Sequence, residues 1–273
     1  MVKIQEVHTN SYISVTKLPV SDYAINPYIG CSHKCMYCYA EFMRRFTGHH
    51  REEWGDFVDV KRCSKKMNTK KLSGSSVFIG SVTDPYMACE AKYKITRTIL
   101  GQLVDSDASF DIQTKSPLIT RDIDILRQIR NIKVGFSICT LDDQFRKGVE
   151  PCAGRIEDRI KALEELHVAG IRTYVFMSPM FPGITDFKAI IQRTSEYTDE
   201  YWFENLNLRA GYRTRVLDYI ESNYPELMLL YDEIYRRKNL SYWEQLSKEI
   251  DDFCTGFGCT YHNYFYHEKI KKK

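Results

Sequence analysis

The 273-residue sequence predicts an α/β protein, built either as a barrel or as a doubly wound sheet. Three observations lead there. Short β-rich runs alternate with amphipathic helical runs over most of the chain. Val77–Ile79 and Tyr174–Met177 are apolar without internal alternation, as in parallel strands covered on both faces. No repeat, low-complexity tract or Gly/Ser linker breaks the order. The six to seven strand–helix units fall short of a standard eight-fold barrel, which takes about 250 residues before any tail.

The expected strands are Ala24–Gly30, Phe57–Val60, Ser76–Val82, Phe110–Thr114, Val134–Cys139, Arg172–Met177 and Tyr201–Leu206, each rich in β-branched and aromatic residues. Helices are expected over Lys94–Val104, Arg121–Gln128, Arg155–Ala169 and Asp186–Glu196. In the third, Ile156, Ile160, Leu163 and Leu166 recur at helical spacing while Arg159, Glu164 and Glu165 take the other faces. Gly170 follows as its C′ residue. The predicted division is a core over residues 1–212 and a cap of the same domain over 213–273. The cap carries helices at Thr214–Ser222, Pro225–Lys238 and Ser241–Phe253, then an aromatic strand at Tyr261–His267 and a frayed tail, Lys269–Lys273.

Composition narrows the class. With 43% hydrophobic and 13% aromatic residues, the chain has ample surface to bury, which excludes disorder for its bulk. No apolar run approaches the ~20 residues of a membrane span, so no membrane partner is expected. Met1–Glu6 lacks the apolar core of a secretory signal, and the expected compartment is the cytoplasm. A net charge of +3 does not by itself indicate a nucleic-acid partner. Nine cysteines, an odd number, point to metal or catalytic use over a disulfide framework.

The chemistry concentrates in Gly30–Ala40, GCSHKCMYCYA, where Cys31, Cys35 and Cys38 form C-x3-C-x2-C just after a predicted strand. Thiolates are the ligands of iron–sulfur clusters. Three of them on a four-iron cluster leave one iron open, as catalytic metal sites require. Zinc, or three unrelated thiols, would also use these residues, but zinc sites usually pair a second C-x2-4-C element, and none is close.

With Tyr37 before the third cysteine, this segment resembles the radical S-adenosylmethionine superfamily. It is most similar to the branch containing spore photoproduct lyase and the proteins labelled DNA repair photolyases. The matching segments are Asn26–Ala40, Gly80–Tyr86, Thr114–Leu126, Gly135–Asp142, Glu150–Leu163 and Ser178–Asp186, in the family's order. The resemblance implies a partial (β/α)6 barrel with a helical C-terminal cap. A [4Fe-4S] cluster on Cys31, Cys35 and Cys38 would bind S-adenosylmethionine at its open iron. A one-electron donor such as flavodoxin or ferredoxin would drive cleavage to a 5′-deoxyadenosyl radical, which takes a hydrogen atom from substrate.

The resemblance also assigns the residues around the cofactor. Ser81, Thr83 and Asp84 face the methionyl ammonium, for which hydroxyls and a carboxylate are suited; the plainer reading is a turn broken at Asp84-Pro85. Lys115 and Ser137 face the carboxylate, Tyr37 flanks the adenine, and Val175 and Met177 offer it apolar contact, with surface exposure or core packing as the alternatives. Glu150 and Arg159 pair to fix the loop before the third helix. Spore photoproduct lyase returns a hydrogen atom from a cysteine where this chain has Ser81, whose O–H bond is too strong for that step. The substrate is therefore expected not to be the spore photoproduct, with Cys89 the alternative thiol donor.

Other features leave two readings. Cys254, Cys259, His262 and His267 have zinc-like types at a spacing too short for a finger. Cys63, Cys139 and Cys152 read as small hydrophobes or incidental thiols. Lys61–Lys71 carries Lys61, Arg62, Lys65, Lys66, Lys70 and Lys71 and no acid, which suits a phosphate backbone or a solvated helix face. The functional expectation is hydrogen abstraction from a nucleic-acid lesion or base. A radical reaction on a peptide or protein is the alternative, and a non-enzymatic iron–sulfur or zinc protein the alternative of another class.

Overall fold

A computed structural model describes residues 2–265. Eleven strands are present among them: β1 Lys3–His8, β2 Ile13–Val15, β3 Tyr23–Ile25, β4 Tyr28–Ile29, β5 Phe57–Arg62, β6 Ser76–Ile79, β7 Ser109–Thr114, β8 Ile132–Ser137, β9 Arg172–Met180, β10 Glu200–Asn205 and β11 Tyr261–Asn263. The α-helices are α1 Glu90–Tyr93, α2 Ile95–Leu103, α3 Ile123–Leu126, α4 Asp143–Val149, α5 Ile156–Val168, α6 Phe187–Thr194, α7 Ala210–Asn223, α8 Met228–Tyr231 and α9 Ser241–Phe257. The larger sheet runs β11-β10-β9-β8-β7-β6-β3-β2. From β3 to β10 every neighbour is parallel and the order follows the chain. These six strands, with helices between them, are a partial (β/α)6 barrel. It is open between β2, antiparallel on one edge, and β11, parallel on the other.

The expected helical face of α5 is the buried one: Ile156, Ile160, Leu163 and Leu166 lie in the core against β9. Burying four such side chains favours folding by about 1.5–3 kcal/mol each. Gly135 on β8 is required by space rather than by backbone angle. A Cβ there would sit 2.0 Å from the Tyr174 ring, which crosses the barrel to donate from its hydroxyl to Asp111 at 2.6 Å.

Several elements differ from expectation. Ala24–Gly30 is not one strand: it breaks at Asn26-Pro27 into β3 in the barrel and β4 in a separate three-stranded sheet, β1-β5-β4. Pro27 has no N–H to give a ladder, so the chain changes sheets there. Phe57–Val60 pairs in the same side sheet. β1 went unforeseen because five of its six residues are exposed, leaving no apolar pattern to read. Arg121–Gln128 is a 3-10 turn, Pro117–Asp122, leading into the single turn of α3. Pro225–Lys238 is a 3-10 turn, α8 and a π-helical turn in succession. His267 and the tail from Lys269 lie outside the described residues.

Candidate active site

At the ends of the parallel strands lies a cavity of about 290 Å³, lined by the loop after β4, the loop after β6 and the inward residues of β7 to β10. The cysteine loop starts at Gly30, whose φ is +85° and where a Cβ would meet the Phe57 carbonyl at 2.4 Å. Only glycine turns the chain into Cys31 without strain. The Met36 N–H donates to the Val149 carbonyl at 2.9 Å, and the Cys152 N–H to the His33 carbonyl at 3.2 Å, so the chain beyond β8 braces the loop. Cys31, Cys35 and Cys38 all line the cavity.

Burial pushes the Cys31 thiol up to about 12, Cys35 well above its ordinary range, and Cys38 up as well. Lys115 favours the thiolate at Cys35 and Cys38, and the Trp54 indole N–H donates to Cys38 Sγ at 3.3 Å. Thiols held this firmly on the proton lose it to a bound metal, whose charge replaces the proton's. Among the described residues no three His, Cys, Asp or Glu side chains converge on one point where a single ion could sit. A four-iron cluster takes one thiolate per iron, so its ligands stand apart around it, and the three soft donors fit that group.

Asp84 is wholly engaged in holding the site together. Oδ1 accepts from the Tyr86 N–H at 2.8 Å and the Thr114 hydroxyl at 2.7 Å, while Oδ2 accepts from the Lys115 N–H at 2.8 Å. His33 Nδ1 lies 3.3 Å from Oδ2. Thr83 donates to the Gly30 carbonyl at 2.6 Å and thereby ties the β6 loop to the cysteine loop. Both residues line the cavity, yet their polar atoms are directed into the protein. Ser81 Oγ accepts from Asn26 Nδ2 at 3.0 Å, and Ser137 Oγ accepts from Gln113 Nε2 at 3.1 Å.

Lys115 is different. Its Nζ has no hydrogen bond or ion pair with any described residue and stands 5.7 Å from the centre of the Tyr37 ring. Burial works against its charge, but Cys35, Glu150 and Asp84 outweigh burial and hold the ammonium above its ordinary range. The Glu150–Arg159 pair is completely buried. Arg159 also donates to the Gly154 carbonyl at 2.9 Å and the Ser137 carbonyl at 2.8 Å, and Tyr37 donates its hydroxyl to Glu150. One ion pair thus positions Tyr37, Ser137 and the loop before α5. Removing one partner from a buried pair costs about 3–5 kcal/mol.

Val175 and Met177 do not line the cavity. They alternate along β9 with Phe176 and Ser178, which do, and they pack in the core. Cys89 also lies away from the cavity, buried at the start of α1 with its thiol pushed up to about 12 by burial. The lining contains no cysteine besides the three of the motif. Cys254 and Cys259 neighbour each other at the end of α9, but His262 turns instead to Glu200, 3.0 Å away. The basic run is not a helix face. Lys61 donates to the Asn26 carbonyl at 2.9 Å, Arg62 pairs with Glu6, and Lys65, Lys66, Lys70 and Lys71 are exposed at the rim where β6 begins, opposite the cavity. Residues the sequence did not single out are Trp54, Gln113, Phe176, Trp202, Glu204 and Tyr264. Of these, Phe176 takes an inward position on β9 and Trp202 and Glu204 take inward positions on β10, a parity that the unbroken apolar runs of these strands do not reveal.

Residues 25–193 match the model of the Radical SAM superfamily. An uncharacterized protein of Methanocaldococcus jannaschii is 37% identical over 225 residues, covering 82% of this chain and 85% of that protein. The Radical SAM Nalpha-GlyT isomerase of Pseudomonas phage M6 is 22% identical over 213 residues, covering 77% of this chain and 42% of that one. Among solved structures, spore photoproduct lyase complexed with dinucleoside spore photoproduct superposes with a TM-score of 0.59 at 16% identity, over 81% of this chain and 66% of its own. Streptococcus suis SuiB bound to S-adenosylmethionine gives 0.59 at 16% identity, over 88% of this chain and 49% of its own. The chain therefore spans just under two thirds of that lyase and about half of SuiB. The chain belongs to the Radical SAM superfamily, as an enzyme whose cofactors are a [4Fe-4S] cluster and S-adenosylmethionine.

Proposed function

We propose that this enzyme abstracts a hydrogen atom from a nucleic-acid lesion or base other than the spore photoproduct. The observation that carries the reading is the division of the cavity into two chemically distinct walls. The wall from the cysteine loop, β7 and β8 is cationic and polar, with Lys115, Ser137 and Gln113. The wall from β9, β10 and the segment after β11 is aromatic, with Phe176, Trp202 and Tyr264, and carries Glu204. Trp202 backs this wall, its ring stacked on Tyr174 with Lys133 over it. Phe176 and Tyr264 offer aromatic surface suited to the π-face of a base, and stacking of this kind contributes about 1–3 kcal/mol per base.

On this reading Cys31, Cys35 and Cys38 hold the cluster. Bound together, cluster and S-adenosylmethionine supply a carbon-centred radical once a flavodoxin- or ferredoxin-type protein delivers one electron. Lys115, whose Nζ has no hydrogen bond or ion pair among the described residues, takes the cofactor carboxylate, and Ser137 adds a hydroxyl. Asp84 and Thr83 are positioning residues: they fix the backbone at the ends of β6 and β7 and leave Ser81 as the hydroxyl nearest the ammonium. Phe176, in place of Val175 and Met177, offers the adenine its apolar face beside Tyr37. The aromatic wall keeps water from the reacting carbon. No thiol in the lining can return a hydrogen atom to a product radical, which argues against spore photoproduct repair.

The test is anaerobic incubation of reconstituted, dithionite-reduced enzyme with S-adenosylmethionine and one of three probes: a single-stranded oligonucleotide pool, a peptide pool, or dinucleoside spore photoproduct. The expected result is faster 5′-deoxyadenosine formation with the oligonucleotides and no thymine from the photoproduct. Acceleration by peptides alone moves the enzyme to a protein substrate, and catalytic thymine release overturns the exclusion of the photoproduct.

A further inference from the structure

The residues just after Cys38 form a 3-10 helix, Tyr39–Phe46, eight residues long where such runs seldom exceed three or four. Winding at three residues per turn places Tyr39, Phe42 and Arg45 in one row along its face. The rings of Tyr39 and Phe42 stack with centroids 6.5 Å apart. The Arg45 guanidinium lies 5.6 Å from the centre of Phe42 and 4.7 Å from that of Phe46. None of this is covered: Tyr39 is 50% exposed, Phe42 44% and Phe46 67%. Arg45 is exposed too, and no described carboxylate pairs with it, whereas Arg44 beside it is paired with Glu53 and Glu41 with Arg215.

The stripe is continuous with the cavity. Tyr39 belongs to both: it lines the cavity wall and donates its hydroxyl to the carbonyl of Ser81. A polymer with one unit in the cavity would lie across this helix as it leaves. Exposed rings interleaved with an unpaired guanidinium match one polymer chemistry well, that of stacked bases on a phosphate backbone. An acidic electron carrier would meet a single unpaired cation here, and the rings would contribute little that such a partner needs.

We infer that Tyr39, Phe42, Arg45 and Phe46 form a docking track for single-stranded nucleic acid, leading from the cavity mouth outward over the helix. This rests on the nucleic-acid reading above and gives it a location, since the Lys61–Lys71 run faces the other rim.

The experiment is fluorescence anisotropy of labelled dT12 and rU12 with the full-length reconstituted enzyme, titrated anaerobically at several salt concentrations. Phe42→Ala/Phe46→Ala should bind about tenfold or more weakly, as expected when a stacking base loses its platform. Arg45→Gln should make the slope of log affinity against log salt shallower by about 0.7, one phosphate contact on a single strand. Iron content should equal that of the wild type in both, because neither change touches the cavity. Unchanged affinity and salt slope in both variants overturn the track. If those variants instead slow cluster reduction by flavodoxin, the surface belongs to the electron carrier. If the wild type binds neither oligonucleotide, the track fails alone when a mononucleoside still accelerates 5′-deoxyadenosine formation, and the nucleic-acid reading fails with it when none does.

Discussion

Lys115 shows how much of this site is decided by single side chains. A lysine at a strand end is ordinarily a solvated surface residue, but this one is drawn inward by Cys35, Glu150 and Asp84 and left without a hydrogen-bonding partner. Lys115→Met keeps the length and removes the charge. Losing a charge-assisted hydrogen bond of about 1.5–3 kcal/mol should weaken S-adenosylmethionine binding roughly ten- to a hundredfold in a titration. Iron content should stay constant, and unaltered affinity would show that the ammonium serves the fold instead. Trp54 is the second such residue. With Cys38 holding the cluster as proposed, the indole N–H to Cys38 Sγ would withdraw density from that ligand and so favour the reduced cluster. Trp54→Phe, which keeps the ring, should lower the midpoint potential by roughly 20–60 mV, the equivalent of about 0.5–1.5 kcal/mol for one electron. A spectroelectrochemical titration with the midpoint unmoved would remove Trp54 from this role. The three cysteines were legible because their spacing is rare. Trp54 was not, because it stands well past the motif and only the fold brings its N–H to the sulfur.

At the scale of elements, β7 to β11 close the lower end of the barrel with a polar cluster. Lys133 Nζ is 3.0 Å from Glu200 and 3.5 Å from Asp111, and lies 4.2 Å from the centre of the Trp202 ring. His262 reaches Glu200 from β11. Burial dominates at Asp111 and, despite Lys133 and the Tyr174 hydroxyl, raises its carboxyl to about 6 from 3.8. In that window the folded chain keeps a proton that the unfolded chain releases. Stability contributed at Asp111 therefore falls as pH rises from about 4 to 6 and stays low above. Relative to Asp111→Asn, the wild type should lose up to about 3 kcal/mol across this range. Denaturant unfolding of both proteins at a series of pH values measures the difference, and parallel curves would contradict the raised carboxyl. The barrel strands were readable from their apolar runs, yet the same runs hid which side faces inward. Val175, Phe176 and Met177 are all apolar, so β9 offers no alternation to fix its parity. The polar neighbours Ser137 and Ser178 carry that information, and the register of β8 against β9 supplies it directly.

For the whole molecule, strand–helix alternation indicated the fold, and the cysteine motif located its working end. The charge map was harder to read. Lys65, Lys66, Lys70 and Lys71 dominate the sequence, but the chain between β5 and β6 carries them to the rim opposite the cavity. Near the mouth, Arg45 stands among aromatics next to Arg44, which pairs with Glu53, and composition does not distinguish the two. No helix of the described residues is long and apolar enough to cross a membrane. On the nucleic-acid reading proposed above, the side of the molecule that holds the cysteines, Lys115 and the aromatic wall is where a substrate unit would present its hydrogen atom. The most direct test follows the hydrogen itself. Reduced enzyme and unlabelled S-adenosylmethionine are incubated with single-stranded nucleic acid from cells grown in deuterated medium, and the 5′-deoxyadenosine is analysed by mass spectrometry. The prediction is incorporation of one deuterium, abolished in the Cys31→Ala/Cys35→Ala/Cys38→Ala variant. Unlabelled 5′-deoxyadenosine from deuterated nucleic acid, with deuterium arriving instead from deuterated protein, would contradict it.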